Sequence, residues 1–121
     1  MKYMLLCYDD EGAWAKAGQA ALEAAMQEAV QHSQELHAKG QYLESAPLHP
    51  ASMGARVQVR DGKPLVTNGP FAETREVLGG YYLIDVKNLD EAISIAARHP
   101  GARLGTVEIR PILEIPGLPA T

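Results

Sequence analysis

The residues with most chemistry to offer lie in one stretch, Thr67-Asn68-Gly69-Pro70-Phe71-Ala72-Glu73-Thr74-Arg75-Glu76-Val77-Leu78-Gly79-Gly80. Asn68 can donate and accept hydrogen bonds, Phe71 can pack on a flat ligand, and Glu73 or Glu76 can act as acid or base once desolvated. Arg75 can pair with a carboxylate or phosphate. The bland reading of the same residues is a turn at Asn68-Gly69-Pro70, a core plug at Phe71 and charges that face water. Gly69 accepts positive φ, and Pro70 fixes its own φ while restricting the residue before it. The connection is therefore stiff, and connections between strands carry a disproportionate share of binding residues.

Two histidines outside that stretch are further candidates. His99 precedes Pro100 at the end of a helical pattern, where the helix dipole favours the imidazolium form; a C-capping role without chemistry is the preferred reading. His49 sits on the Pro47-Leu48-His49-Pro50 connection, a rigid setting for a general base or simply an exposed loop position. His32 and His37 lie on or beside an apolar helical stripe and are expected half-exposed and solvated. The catalytic candidates are Glu73, His99 and His49, and the ligand-binding candidates are Asn68, Phe71, Arg75 and Glu76. Four scattered histidines and a single cysteine show no metal-ligand spacing, and no cofactor is expected. Leu78-Gly79-Gly80 precedes a strand, whereas a phosphate-binding loop follows one and opens a helix. No nucleophile elbow occurs.

Composition narrows the classes. A chain of 121 residues forms one domain, and its formal charge of −4, with no basic stripe, argues against nucleic acid as a partner. Apolar runs are too short to span a bilayer. Met4-Leu5-Leu6-Cys7-Tyr8 runs into Asp9-Asp10-Glu11, which is not a signal-peptide plan. One cysteine excludes an intrachain disulfide and suits a reducing compartment, so a cytoplasmic location is expected. Cys7 lies in an apolar strand and reads as an inert core thiol.

The elements that must position these residues follow from periodicity. Tyr3 to Tyr8 is a central strand. Trp14 among alanines suggests a helical turn ended by Gly18. Gln19 to Lys39 is rich in helix formers, with Leu22, Met26, Ala29, Val30, Ser33 and Leu36 as the buried stripe and Gly40 as the stop. Gln41 to Ala46 is a second strand. Arg56 to Arg60 and Pro64 to Thr67 make a hairpin across Asp61-Gly62. Gly80 to Val86 is a core strand with Tyr82, Ile84 and Val86 on one face and Tyr81, Leu83 and Asp85 on the other. Asn88 and Glu91 open a helix with Leu89, Ala92, Ile93 and Ala96 buried. Gly105 to Leu113 is the last strand. Residues 1–115 form the domain and 116–121 a loose tail. The order predicts an α+β, ferredoxin-like antiparallel sheet with two helices on one face.

The run Asn68-Gly69-Pro70-Phe71-Ala72-Glu73-Thr74-Arg75-Glu76, followed by Leu78-Gly79-Gly80-Tyr81-Tyr82-Leu83-Ile84-Asp85-Val86, resembles the signature of the DGPF group of the YCII-related domain family. The opening Met-Lys-Tyr-Met-Leu-Leu, the helix start at Leu89-Asp90-Glu91-Ala92 and the closing Val107-Glu108-Ile109-Arg110-Pro111-Ile112 agree with it. Asn68 stands where the motif has Asp, which removes a carboxylate and keeps the turn preference. The resemblance implies a dimeric α+β barrel, with homodimerisation through the open sheet face. It also implies a His–acid pair, with the acid before the helix-ending proline and the histidine on the first long helix. Here His99 holds the first place, and the second falls near Ala29 rather than His32.

Two functional classes follow. One is a small-molecule-binding protein or enzyme, with lyase- or isomerase-like proton transfer implied by the resemblance. Its pocket would lie between sheet and helices, roofed by residues 68–76 and approached by His49 or His99. The other is a non-enzymatic regulatory module, because proteins resembling this one are associated with alternative sigma factors.

Overall fold

The computed structural model describes residues 1–69 and 75–119. Phe71 and Glu73 lie outside them. The elements run β1 (Lys2–Asp9), α1 (Glu11–Ala17), α2 (Gln19–Ala38), β2 (Tyr42–Pro47), a 3₁₀ turn (Ala51–Met53), β3 (Ala55–Arg60), β4 (Lys63–Asn68), β5 (Val77–Asp85), α3 (Leu89–Ala97), α4 (Gly101–Leu104) and β6 (Thr106–Pro111). Four strands form one antiparallel sheet in the order β2-β5-β1-β6. β3 and β4 form a separate two-stranded sheet. The architecture is α+β, with four helices where the sequence suggests two and a possible turn.

Alternation along β1 and β5 sends Tyr3, Leu5, Cys7, Tyr82 and Ile84 to one face, where they pack with Leu36 of α2 and Ala92, Ile95 and Ala96 of α3. Two expected stripes are corrected. Met26 and Val30 are each 57 % exposed, and His32 takes the core position beside Leu36. On α3, Leu89 and Ile93 are exposed and Ile95 is buried, because the helix docks on a face about one residue round from the periodicity. Asn88 caps α3 by accepting from the Glu91 N–H at 3.0 Å, and the Glu91 carboxylate accepts from the Lys87 N–H at 3.3 Å. Gln41 ties the start of β2 to this helix through the Glu91 side chain.

The β3–β4 hairpin turns through Asp61 and Gly62, both at positive φ (52° and 73°), as a two-residue turn of this hand requires. Every residue of both strands is exposed. One face bears Val57, Val59, Pro64 and Val66, and the other bears Arg56, Arg60 and Lys63. Among the described residues no helix is long and apolar enough to cross a membrane.

Candidate functional site

A partly open cavity of about 840 Å³ lies between the sheet and helices α1 and α2. This is the size range of small-molecule sites. Its walls are mostly apolar, with Trp14, Leu22, Met26, Ala29 and Val30 from the helices and Val77 and Leu78 from β5. Polar lining groups come from separate elements: Asp9 from the end of β1, Glu11 from α1, Gln19 and Ser33 from α2, Ser45 from β2, Tyr82 from β5, and His49 and His99 from connections.

Asp9 is positioned by a bulge. The β1–β5 register slips between Cys7 and Tyr8, so that Cys7 faces Gly80 and Tyr8 faces Leu78. Gly79 is the extra residue, and a Cβ on it would stand 1.7 Å from the Asp9 Oδ2. Glycine there leaves the space that the Asp9 carboxylate occupies. Leu48 donates its N–H to the Gly79 carbonyl at 2.8 Å, which fixes the bulge to the chain after β2. Burial pushes the Asp9 carboxyl above its usual range, and the charges of Glu11 and Glu76 push it the same way.

His99 stands beside Gly101. The Gly101 N–H donates to His99 Nδ1 at 3.0 Å, so the neutral ring carries its proton on Nε2. A Cβ built on Gly101 would lie 2.9 Å from His99 Nδ1 and 4.0 Å from Asp9 Oδ1, so both groups surround one point. Burial lowers the His99 pKa to about 4, with the neighbouring His32 adding to the effect. The expected imidazolium is therefore corrected: desolvation outweighs the dipole of α3, and the ring is neutral at pH 7. Nor does His99 cap α3 with its side chain; it accepts from the first residue of α4.

Behind these groups, His32 is buried rather than half-exposed. Its Nε2–H donates to the Ile95 carbonyl at 3.1 Å, and burial lowers its pKa. The His32 and His99 rings are 6.4 Å apart, and Tyr82 meets His99 edge-on at 5.2 Å. Ser33 donates towards the Ala29 carbonyl (2.9 Å) and the Tyr82 hydroxyl (3.0 Å), while Tyr82 donates towards the same carbonyl (3.3 Å). The three groups share one local network. Cys7 lines the cavity as a thiol, its pKa raised to about 11 by burial.

The other candidates are dispersed. His49 is exposed and contributes to the cavity lining. Asn68 is exposed at the end of β4, opposite Ala55. Arg75 is exposed and pairs with Asp10 at 3.3 Å. The Glu76 carboxylate accepts from the Thr106 hydroxyl at 3.0 Å at the sheet edge. Sequence reasoning overlooked Asp9, which looked like polar punctuation after an apolar run. The available signal was its odd-numbered phase with Tyr3, Leu5 and Cys7. Among the described residues no three His, Cys, Asp or Glu groups converge as a metal site.

Fold and site together define a small α+β protein with a mostly apolar cavity in which a carboxylate and a neutral imidazole both stand close to Gly101. The chain belongs to the YCII-related domain family, whose model matches residues 1–116. It is 36% identical over 117 residues to an uncharacterised protein of Rhizobium meliloti (strain 1021), covering 93% of this chain and 92% of that protein.

Proposed function

We propose that this protein binds a small organic molecule in the cavity and moves a proton on it, in a lyase- or isomerase-like reaction. The observation that carries the reading is the approach of both Asp9 and His99 to Gly101 in a mostly apolar cavity. A carboxylate with a raised pKa is a stronger base than one in water and takes a proton from carbon next to a carbonyl. Neutral His99, with its proton on Nε2, donates a hydrogen bond to the carbonyl oxygen as negative charge develops there. Asp9 then returns the proton to a neighbouring carbon, or a leaving group departs with the electron pair. The decisive experiment incubates the protein in D2O with a panel of enolisable ketones and follows deuterium entry by proton NMR. Exchange above the buffer rate, reduced by about 100-fold or more in Asp9→Asn, is expected. Exchange equal to buffer for every ketone, or undiminished in Asp9→Asn, would overturn it.

We also propose a homodimer built on a ferredoxin-like protomer, in the manner of a dimeric α+β barrel. The protomer exposes 8621 Å². A folded monomer of this mass exposes about 6,400 Å². Two features invite a partner: the exposed apolar hairpin face, and the half-buried Met4, Leu6, Tyr8 and Tyr81 on the sheet face opposite the helices. A sedimentation mass near that of two chains is the expected result, and that of one chain refutes it.

A further inference from the structure

The charge of the cavity restricts what can enter it. None of the described lining residues is Lys or Arg, and residues 70–74 contain neither. Arg75, just after them, is exposed and paired with Asp10 outside the lining. Two carboxylates, Asp9 and Glu11, stand in the wall. The N-terminus of α2 at Gln19 also reaches the lining and brings the equivalent of about half a positive charge, which two full negative charges outweigh. His32 and His99 are held neutral by burial and add no positive charge at pH 7.

Hydrogen-bonding capacity points the same way. The Ser33 hydroxyl proton is directed to the Tyr82 oxygen and the Ala29 carbonyl, and the Tyr82 proton to the same carbonyl. The His32 Nε2–H serves the Ile95 carbonyl. Gln19 Nε2 donates to Glu23 and the Ser45 hydroxyl is bonded to Tyr42, which leaves the ring N–H groups of His99, Trp14 and His49 as donors for a ligand, while the Asp9 and Glu11 carboxylates can only accept. A ligand meeting these groups needs a hydrogen-bond donor for the carboxylates and one acceptor for His99. A ligand carboxylate or phosphate supplies no donor and adds repulsion beside the half-buried Asp9 carboxylate.

We propose that the cavity is selective by charge: it takes compact, largely apolar molecules that carry a hydrogen-bond donor and no negative charge, and refuses carboxylates and phosphates. This rests on the cavity being the ligand site, but not on the proton-transfer chemistry.

Three probes of one shape separate the possibilities: naphthalene-2-carboxamide, naphthalene-2-carboxamidine and naphthalene-2-carboxylate. Each is titrated into the full chain at pH 7 by thermal shift and calorimetry. The amide and amidine are expected to bind about tenfold or more tighter than the carboxylate, a ratio that shrinks in the double variant Asp9→Asn/Glu11→Gln. Carboxylate binding as tight as that of the amide, or a ratio unchanged in the double variant, would overturn charge selection while leaving the cavity as the site. Failure of all three to bind would overturn the cavity as the ligand site and this proposal with it. A probe ratio that behaves as expected, together with deuterium exchange no faster than buffer in the unsubstituted protein, would remove the proton-transfer reading alone.

Discussion

Asp9 occupies the space that a side chain on residue 79 would claim, so the two positions are energetically coupled. Gly79→Ala is expected to destabilise the fold by about 1–3 kcal/mol, since the added methyl must displace the carboxylate or the bulge. Combining it with Asp9→Ala should recover part of that loss, giving a coupling of about 0.5–3 kcal/mol in a denaturation cycle. Strict additivity would show that the two side chains do not compete.

The two titrating groups act on stability with opposite sign. His99 has its folded pKa at about 4, below its ordinary value of 6.5. Its contribution is therefore complete above pH 6.5 and is lost as pH falls through about 4, because the unfolded chain takes the proton first. The loss is about 1–2 kcal/mol after allowing for a ring partly open to solvent. His99→Gln should flatten this limb of a melting temperature–pH curve. Asp9, with its folded pKa raised, is most favourable to the fold below its ordinary value and costs stability as pH rises through the folded one. Asp9→Asn should raise the melting temperature at pH 7, with a gain that fades towards pH 4.

At the scale of elements, Asn88 supplies α3 with a capping bond that nothing else provides in the described residues. Asn88→Ala should cost about 1 kcal/mol in chemical denaturation, and Asn88→Ser should cost far less. α1 is held similarly, with the Asp10 carboxylate accepting from the Ala13 N–H at 2.9 Å and pairing with Arg75. The strands, the hairpin turn and the Asn88 cap were legible because they depend on neighbours within a few residues, whereas the Asp10 cap of α1 was not read. The docking faces of the helices were not. Ile95 replaces Ile93, and His32 replaces Met26 and Val30, because tertiary contact selects among several apolar faces of similar width. The site was the least legible part. Residues 68–76 hold the densest chemistry along the chain. Asp9 and His99 are ninety positions apart and meet only after the sheet has formed.

For the whole molecule, the hairpin is the part that the protomer leaves without a core. Lysines at Val57 and Val66, cross-strand partners on its apolar face, should weaken self-association while barely changing the protomer's melting temperature when measured well below the dissociation constant. Excision of residues 55–68 is expected to leave a folded protein. The Gly69 N–H already meets the Gly54 carbonyl at 2.9 Å, so the cut ends are adjacent. Retained helical and sheet signal by circular dichroism would confirm this, and a collapsed spectrum would refute it. The sheet order β2-β5-β1-β6 closes without the ribbon. In evolutionary terms, a lineage could therefore lengthen, trim or rewrite this arm, and so change its choice of neighbour, with no compensating change at the bulge that holds Asp9. Sociability and chemistry in such a chain are free to drift apart.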